Sequence, residues 1–598
     1  MNKIIFLKKI FLVAMAIAIT VIAASCNQTP SEETNEENVQ LKYVSNRDGT
    51  CYVSGIDNKD ADKVVIPDTS PNGDRVIGIG GQAFRGCKKL AEIIIPDSVQ
   101  FIKDGAFSEC NNLIKIENNL SYVDNWVIDC DDSITEAIIK GDCVGIADSA
   151  FKDCDNLMSI TIGAEVKNIG ELAFDGCKKL VEIYNLSPIA LKAGSREHGG
   201  AGYYARVINE SASIPSGLFT TAEGFILLDS DNGCYLVGYN GFGTNLSLPA
   251  NCRGKNYAIN DYAFLNQQSI ISVSIPETVT DIGRFAFEGC ISLKEINIPT
   301  SVSEIGEQAF ALCTALETVR FSEGLKKVNY RAFYGCSSLS EAILPDTTTE
   351  ICDSAFAGCK SLSNVVVGNG VTTIGPTAFS SCTELRTLTI GASMEKIDYA
   401  AFSSCFRLVE VYNLSSLDIK AGGSDHGYAG LYALNIYNNT TTQSKQWIDD
   451  NGFIFYQTGK TCYLTGYVGE SAHLTLPDNC NGKNYAINKY AFDNSEYLVR
   501  VVIPEGVTEI GEYAFFYCQN LKEIVIAKSV KTINSYAFED CPWFSVYYCG
   551  NSTNWKSVKV KQNNSVFTNS SRYYYSESAP SSAGNYWHYV DNNPVIWE

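Results

Sequence analysis

The dipeptide Ala-Phe recurs along the chain, with Phe at 84, 107, 151, 174, 264, 287, 310, 333, 356, 379, 402, 492, 515 and 538. Most steps are 23 residues, and the run from Phe264 to Phe402 is unbroken. This period restricts the fold severely, because a unit so short cannot bury its own apolar face and only a stack of units can. The unit is complete at Ala286-Phe287-Glu288-Gly289-Cys290, followed by Leu293, Ile296, Ile298-Pro299, Val302 and Ile305-Gly306, before Ala309-Phe310 opens the next. Leu293-x-x-Ile296-x-Ile298 ends in period-two alternation, which predicts a strand with the aliphatic side chains inward. Pro299 has no N–H for a ladder and ends that strand; Gly306 predicts a second turn. The period is too short for a helical hairpin. The expected fold is mainly β: a solenoid of 23-residue coils, strands paired about 4.8 Å apart, with the Phe side chains as an interior ladder.

The pattern Ala-Phe-x-x-Cys-x-x-Leu-x-x-Ile-x-Ile-Pro resembles the BspA-type leucine-rich repeats of bacterial surface proteins, over roughly residues 60 to 545. The resemblance implies a leucine-rich-repeat solenoid and a surface or secreted protein. Some members of that family are adhesins for host matrix or blood proteins, or for other cells. It does not name a partner, since solenoid faces diversify freely.

Two gaps of 90 residues interrupt the period, and they are copies of each other. Tyr184-Asn185-Leu186 returns as Tyr412-Asn413-Leu414, Cys234-Tyr235-Leu236 as Cys462-Tyr463-Leu464, and the segment from Gly254 to Asn260 as that from Gly482 to Asn488, all offset by 228. Thr50-Cys51-Tyr52-Val53 is a partial third relative. We read the copies as enlarged coils within the stack. The expected organisation is a signal peptide at 1–25, an acidic tether at 26–40, repeats at 41–186, 263–414 and 491–549, irregular modules at 187–262 and 415–490, and a degenerate Tyr-rich cap at 550–598. The tail's Tyr573-Tyr574-Tyr575 and Tyr586-Trp587-His588 fit either a capping coil or an aromatic carbohydrate-binding patch.

Lys3, Lys8 and Lys9 precede an apolar run ending at Ala23-Ala24-Ser25-Cys26, the layout of an export signal. Small residues before a Cys resemble the lipobox of bacterial lipoproteins, although Ala23 stands where that family prefers Leu. The resemblance implies cleavage before Cys26, its lipidation, and a protein exported and lipid-anchored at the outer membrane or cell surface. An ordinary signal peptide is the alternative. Glu32, Glu33, Glu36 and Glu37 make the following segment an acidic tether.

A net charge of -21, with no basic cluster, excludes nucleic acid as a partner. Of the 22 Cys, twelve follow an Ala-Phe at the same offset and would stack in register as buried thiols. Cys234 and Cys252 share their spacing with Cys462 and Cys480, so Cys234–Cys252 and Cys462–Cys480 are the expected disulfides. No C-x-x-C pair, G-x-S-x-G or complete calcium loop is present: Asp229-Ser230-Asp231 lacks its closing Glu. The duplicated His198 and His426 have no evident nucleophile beside them and read as loop supports. We therefore expect no catalytic or metal site and no cofactor.

A binding face is the remaining candidate. Five residues after each Cys position lies a side chain expected to point outward from the strand. Six of these are acidic: Glu92, Glu182, Glu295, Glu341, Glu410 and Glu523. Two places further on stand Ile94, Ile343, Val366, Val502 and Val525. An acidic row beside exposed aliphatics fits a protein-binding surface; a solvated sheet of β-forming residues is the plainer reading. Three classes stay open: an adhesin or protein binder for a host matrix protein or another cell surface, a structural spacer, and a glycan-binding component of nutrient capture.

Overall fold

The computed structural model describes residues 39–459, 461–581 and 583–597. Cys26, the leader at 1–25 and the tether up to residue 38 lie outside the described residues. Two compact units are present: one up to Val99 together with Gly105–Ile114, the other Gln100–Asp104 with Lys115–Glu598.

In the first unit, Leu41–Ser45 pairs antiparallel with Thr50–Ile56, which continues parallel into Arg75–Ile79 with Cys51 opposite Val76. Lys63–Val65 pairs parallel with Glu92–Ile94. The Phe84 and Phe107 rings stack with centroids 5.4 Å apart.

The second unit holds the regular array. Each coil supplies a longer strand, such as Glu295–Ile298, and a two-residue strand, such as Glu304–Ile305. Both pair parallel with their counterparts one period away: Ile296 lies opposite Val319, and Ile305 opposite Val328. Ile296, Ile298, Val302 and Ile305 are buried. The short strand brings successive coils so close at Gly306 that a Cβ there would sit 2.5 Å from the Gly283 carbonyl carbon. From Phe264 to Phe402 the rings stack at 4.8–5.3 Å with planes within 6° of parallel. The Cys position has its own partner. Cys313, Cys336 and Cys359 each donate their thiol to the carbonyl of the preceding coil's Phe, at 3.1, 3.1 and 3.3 Å. The thiol adds a weak second donor to a buried carbonyl that already accepts the Cys N–H of its own coil.

The duplicated gaps do more than enlarge a coil. In the first, Phe225–Ser230 pairs antiparallel with Gly233–Tyr239, which continues parallel into Tyr257–Ile259. Ile226, Leu228 and Val237 pack on Val181 and Val207, while Phe225, Leu227, Cys234 and Leu236 open the core that runs on to Ala433. In the second, Phe453, Phe455, Cys462 and Leu464 open a core that runs to Phe567, with Ile454 and Tyr456 buried on the opposite face. Each hairpin is a wall between two cores. A strand buried on both faces reads as a continuous apolar run, without the polar alternation of an enlarged coil. A smaller hairpin, Leu120–Val123 with Trp126–Cys130, fills the gap after Phe107 and likewise runs parallel into Gly145–Ile146.

The duplicated His-Gly turns close the coil before each wall. Phe287 donates its N–H to Ala309 of the next coil; Phe174 and Phe402 donate instead to the carbonyls of Gly199 and Gly427, at 2.9 and 2.8 Å. Gly199 has φ +63°, and a Cβ there would lie 2.2 Å from the Gly170 oxygen, so only glycine can imitate the missing coil.

At the other end, Ser565–Asn569 is a short helix whose Phe567 ring stacks 4.9 Å from Phe538, fully buried. Arg572–Tyr575, Tyr586–Val590 and Asn593–Ile596 then extend the sheet that includes Ser545–Tyr548. Trp587 is fully buried against Val525 and Tyr547 and donates Nε1–H to the Tyr548 carbonyl at 3.0 Å.

Candidate functional site

The register places the expected acidic row at the first residue of each longer strand, and the six positions divide into three kinds. Glu295 and Glu341 are exposed and point out from the central coils. With them on the outer face stand Asn297, Arg320 and Ile343, the last half exposed at 50%. Thr318, Asn364, Val366 and Thr387 are half-buried. Glu92, in the first unit, is exposed and paired with Lys63 at 2.9 Å.

Glu182 and Glu410 overturn the expectation: both are buried, Glu410 completely. The reason is the chain leading into each wall. The Ser216 hydroxyl and Gly217 N–H donate to the Glu182 carboxylate at 2.6 and 3.2 Å. The Ser444 hydroxyl and Lys445 N–H donate to Glu410 at 2.5 and 3.0 Å. These two glutamates are anchors for the duplicated modules, not part of an outer face. Glu523 is half-buried beside Arg500, whose guanidinium donates to the Asn593 side chain and the Asn592 carbonyl at 2.8 and 3.1 Å. Val525, expected outside, is covered by Trp587. The row is thus open on the central coils and overlain at the modules and the tail.

The expected disulfides are also corrected. Cys234, Cys252, Cys462 and Cys480 are free, buried thiols. Within each pair the first thiol lies 3.8 Å from the carbonyl of the second residue, a contact rather than a bond. Burial first, and the neighbouring thiol second, push Cys234 and Cys480 up to about 12. The disulfide among the described residues joins Cys130 to Cys154, a residue of the repeat position. The other repeat cysteines are free, with Cys290 and Cys359 likewise pushed up to about 12 by desolvation. Ellman's reagent on the native protein at mildly alkaline pH should therefore leave the buried repeat thiols unmodified and label them only in denaturant. Prompt native labelling of Cys336 or Cys359, read by peptide mass mapping, would show that the coils do not enclose them.

Asp229, the first residue of the discounted calcium loop, is committed to Lys255 at 2.7 Å and Arg253 at 3.3 Å. His198 and His426 lie in the closing turns described above.

One site was missed. Beside the first module a cleft of about 610 Å³ is lined by Arg196, Tyr203, Tyr204, Tyr262 and Phe285, with Asp175 and Glu307 among its charged residues. The sequence signals the Tyr262 and Phe285 rings, though not the residues that complete the cleft around them. The residue before Ala-Phe is aromatic just after each module, at Tyr262 and Phe285 and again at Tyr490, Tyr513 and Tyr536, whereas the coils between carry Gln308, Arg331, Ser354, Thr377 and Ala400.

A model of the BspA type leucine rich repeat region matches residues 60–183, 257–351, 326–445 and 473–574. Comparison with curated proteins gives no match. Among solved structures, a leucine rich cell surface protein from Faecalibacterium prausnitzii is 22% identical over 59% of this chain and 100% of that one, with a TM-score of 0.29. A leucine-rich repeat protein from Bacteroides ovatus is 22% identical over 85% of this chain and 98% of that one, with a TM-score of 0.27. Another from Eubacterium ventriosum is 20% identical over 65% and 96%, with a TM-score of 0.34. Since the family match takes in well over half of the chain and coincides with the observed coils, this protein belongs to the BspA-type leucine-rich-repeat family.

Proposed function

We propose that this protein is an exported binding protein rather than an enzyme, displayed at the cell surface by a lipid on Cys26, and that it recognises a protein partner through the outer strand face of its central coils. One observation carries the reading. On the strands Glu295–Ile298, Thr318–Phe321, Glu341–Ile343, Asn364–Val366 and Thr387–Ile390 every outward position is exposed or half-exposed in five consecutive coils, while the modules and the tail overlie the same register at Glu182, Glu410 and Val525. A flat array of Glu, Asn, Thr, Arg and aliphatic side chains offers hydrogen bonds, a modest charge field and apolar area together.

The test uses the full chain purified in detergent against a panel of matrix and serum proteins. The expected result is saturable binding of at least one, with association slowed by salt and by the double substitution Glu295→Lys and Glu341→Lys, at unchanged stability. A spacer protein would bind none of the panel. Binding indifferent to salt and to both substitutions would remove the acidic face from the mechanism.

Membrane attachment is tested separately. Cys26→Ala should move the protein out of the membrane fraction or leave its leader uncut. Unchanged fractionation with unchanged mass would show that Cys26 carries no lipid.

A further inference from the structure

The cleft beside the first module has a floor, a rim and an opening of different chemistry. Tyr262 and Phe285 form the floor, their rings stacked with centroids 4.9 Å apart and planes 4° from parallel. Tyr204 stands edge-on to Tyr262, and Tyr203 edge-on to Tyr204, at 5.8 and 4.8 Å. All four aromatics are half-buried. Arg196 lies over the Tyr203 ring at 4.5 Å and donates to its hydroxyl at 3.0 Å. Arg284 is held by Asp261, with Nε and Nη2 donating to the same carboxylate oxygen at 3.1 and 2.9 Å. At the rim the carboxylates of Asp175 and Glu307 enter no hydrogen bond or ion pair among the described residues.

The backbone adds a second observation. Tyr262 and Phe285 have φ of +62° and +57°, in the left-handed region that bulky residues avoid. The same position is left-handed in the following coils, where it holds Gln308, Arg331, Ser354, Thr377 and Ala400. The turn therefore does not require an aromatic ring, and the rings are placed in it at a conformational cost.

We propose that this cleft binds a short neutral oligosaccharide, with one sugar ring stacked on an outer face of the Tyr262–Phe285 pair and its hydroxyls held by Asp175, Glu307 and Arg196. A pyranose has an apolar C–H face and a rim of hydroxyls that both donate and accept, which suits an aromatic floor bordered by carboxylates and a guanidinium. The volume lies in the range of small-ligand sites. An anionic ligand would meet the carboxylates of Asp175 and Glu307 at the rim, while Glu171 is paired with Lys103 and Arg284 shares Asp261 with Arg206. A cationic ligand would meet guanidiniums already set among the rings. An apolar one would strip water from unpaired carboxylates without replacing it.

The duplicated module supplies an internal contrast. Tyr432, Tyr490 and Tyr513 stand where the first copy has Tyr204, Tyr262 and Phe285, but Ser403, Ser424, Leu431 and Ser535 replace Asp175, Arg196, Tyr203 and Glu307. There the Phe406 ring stacks on one face of Tyr490 at 4.5 Å. In the first copy that place belongs to Lys178, which pairs with Asp155 at 3.2 Å. All four platform rings are half-buried, and the copies differ in that an aromatic ring takes one face of Tyr490 where the first copy has a lysine.

The test screens the detergent-purified full chain against immobilised neutral gluco-, galacto-, manno- and xylo-oligosaccharides and measures the best binder by calorimetry. Tyr262→Ala is expected to lower its affinity about ten- to a hundredfold, the scale of a lost aromatic stacking contact. Asp175→Asn combined with Glu307→Gln, which changes exposed carboxylates that enter no hydrogen bond or ion pair among the described residues, is expected to lower it as well. Tyr490→Ala should leave it unchanged. The proposal is overturned if no neutral oligosaccharide binds, if binding survives both cleft variants, if Tyr490→Ala weakens it equally, or if acidic glycans or peptides compete for the cleft more tightly than neutral sugars.

Discussion

Replacing Phe333 by Ala is expected to cost about 3–5 kcal/mol and to loosen the central coils together. The ring is fully buried, stacks on Phe310 and Phe356 at 5.2 and 5.1 Å, and meets Phe321 edge-on at 5.6 Å. Its removal leaves a cavity and ends two stacking contacts, each worth about 0.5–1.5 kcal/mol beyond area burial. Nearest-neighbour coupling in a solenoid spreads the loss to the coils on either side. No Trp lies between Trp126 and Trp447, so tryptophan fluorescence would not see the event. Hydrogen exchange of the amides at 295–390 is the measurement. Exchange there as slow as in the wild type would show that the ladder does not hold the array.

Glu410→Ala is expected to cost about 3 kcal/mol, with the loss confined to the second module. The substitution leaves the Ser444 hydroxyl and Lys445 N–H without their acceptor, and hydrogen bonds to a charged group are worth about 1.5–3 kcal/mol each. Gln446–Ile448, which pairs antiparallel with Phe453–Thr458, should then exchange faster. Glu341→Ala is the control. It occupies the same repeat position but is exposed, and should stay within about 0.5 kcal/mol of the wild type. If the two substitutions have equal effects, Glu410 is not an anchor. Glu182, with the same pair of donors in the first module, should behave like Glu410.

This pair shows where reading the repeat succeeds and where it stops. Glu341 and Glu410 are indistinguishable by spacing, because each stands five residues after a repeat Cys. Their environments differ because residues 34 and 35 positions further along the chain fold back over one and not the other. Spacing within a unit determines which side of a strand a residue takes; it carries no information about what else covers that side. Val525 fails as an outward residue for the same reason, since Trp587 arrives from a tail that has lost the period.

By itself the sequence determined the coil, its period, the inward Ile296 and Ile298, the Phe ladder and the duplication. All are local in one coil and repeated in the next, so periodicity alone specifies their contacts. Tertiary structure alone decided that the duplicated hairpins partition the core, that Glu182 and Glu410 anchor them, that Cys234 and Cys252 touch without bonding, and that Tyr203, Tyr204, Tyr262 and Phe285 share one cleft. The physical reason is that these contacts join a segment outside the period to coils far from it in the chain, and an interaction of that kind occurs once, leaving no repeated signature to read.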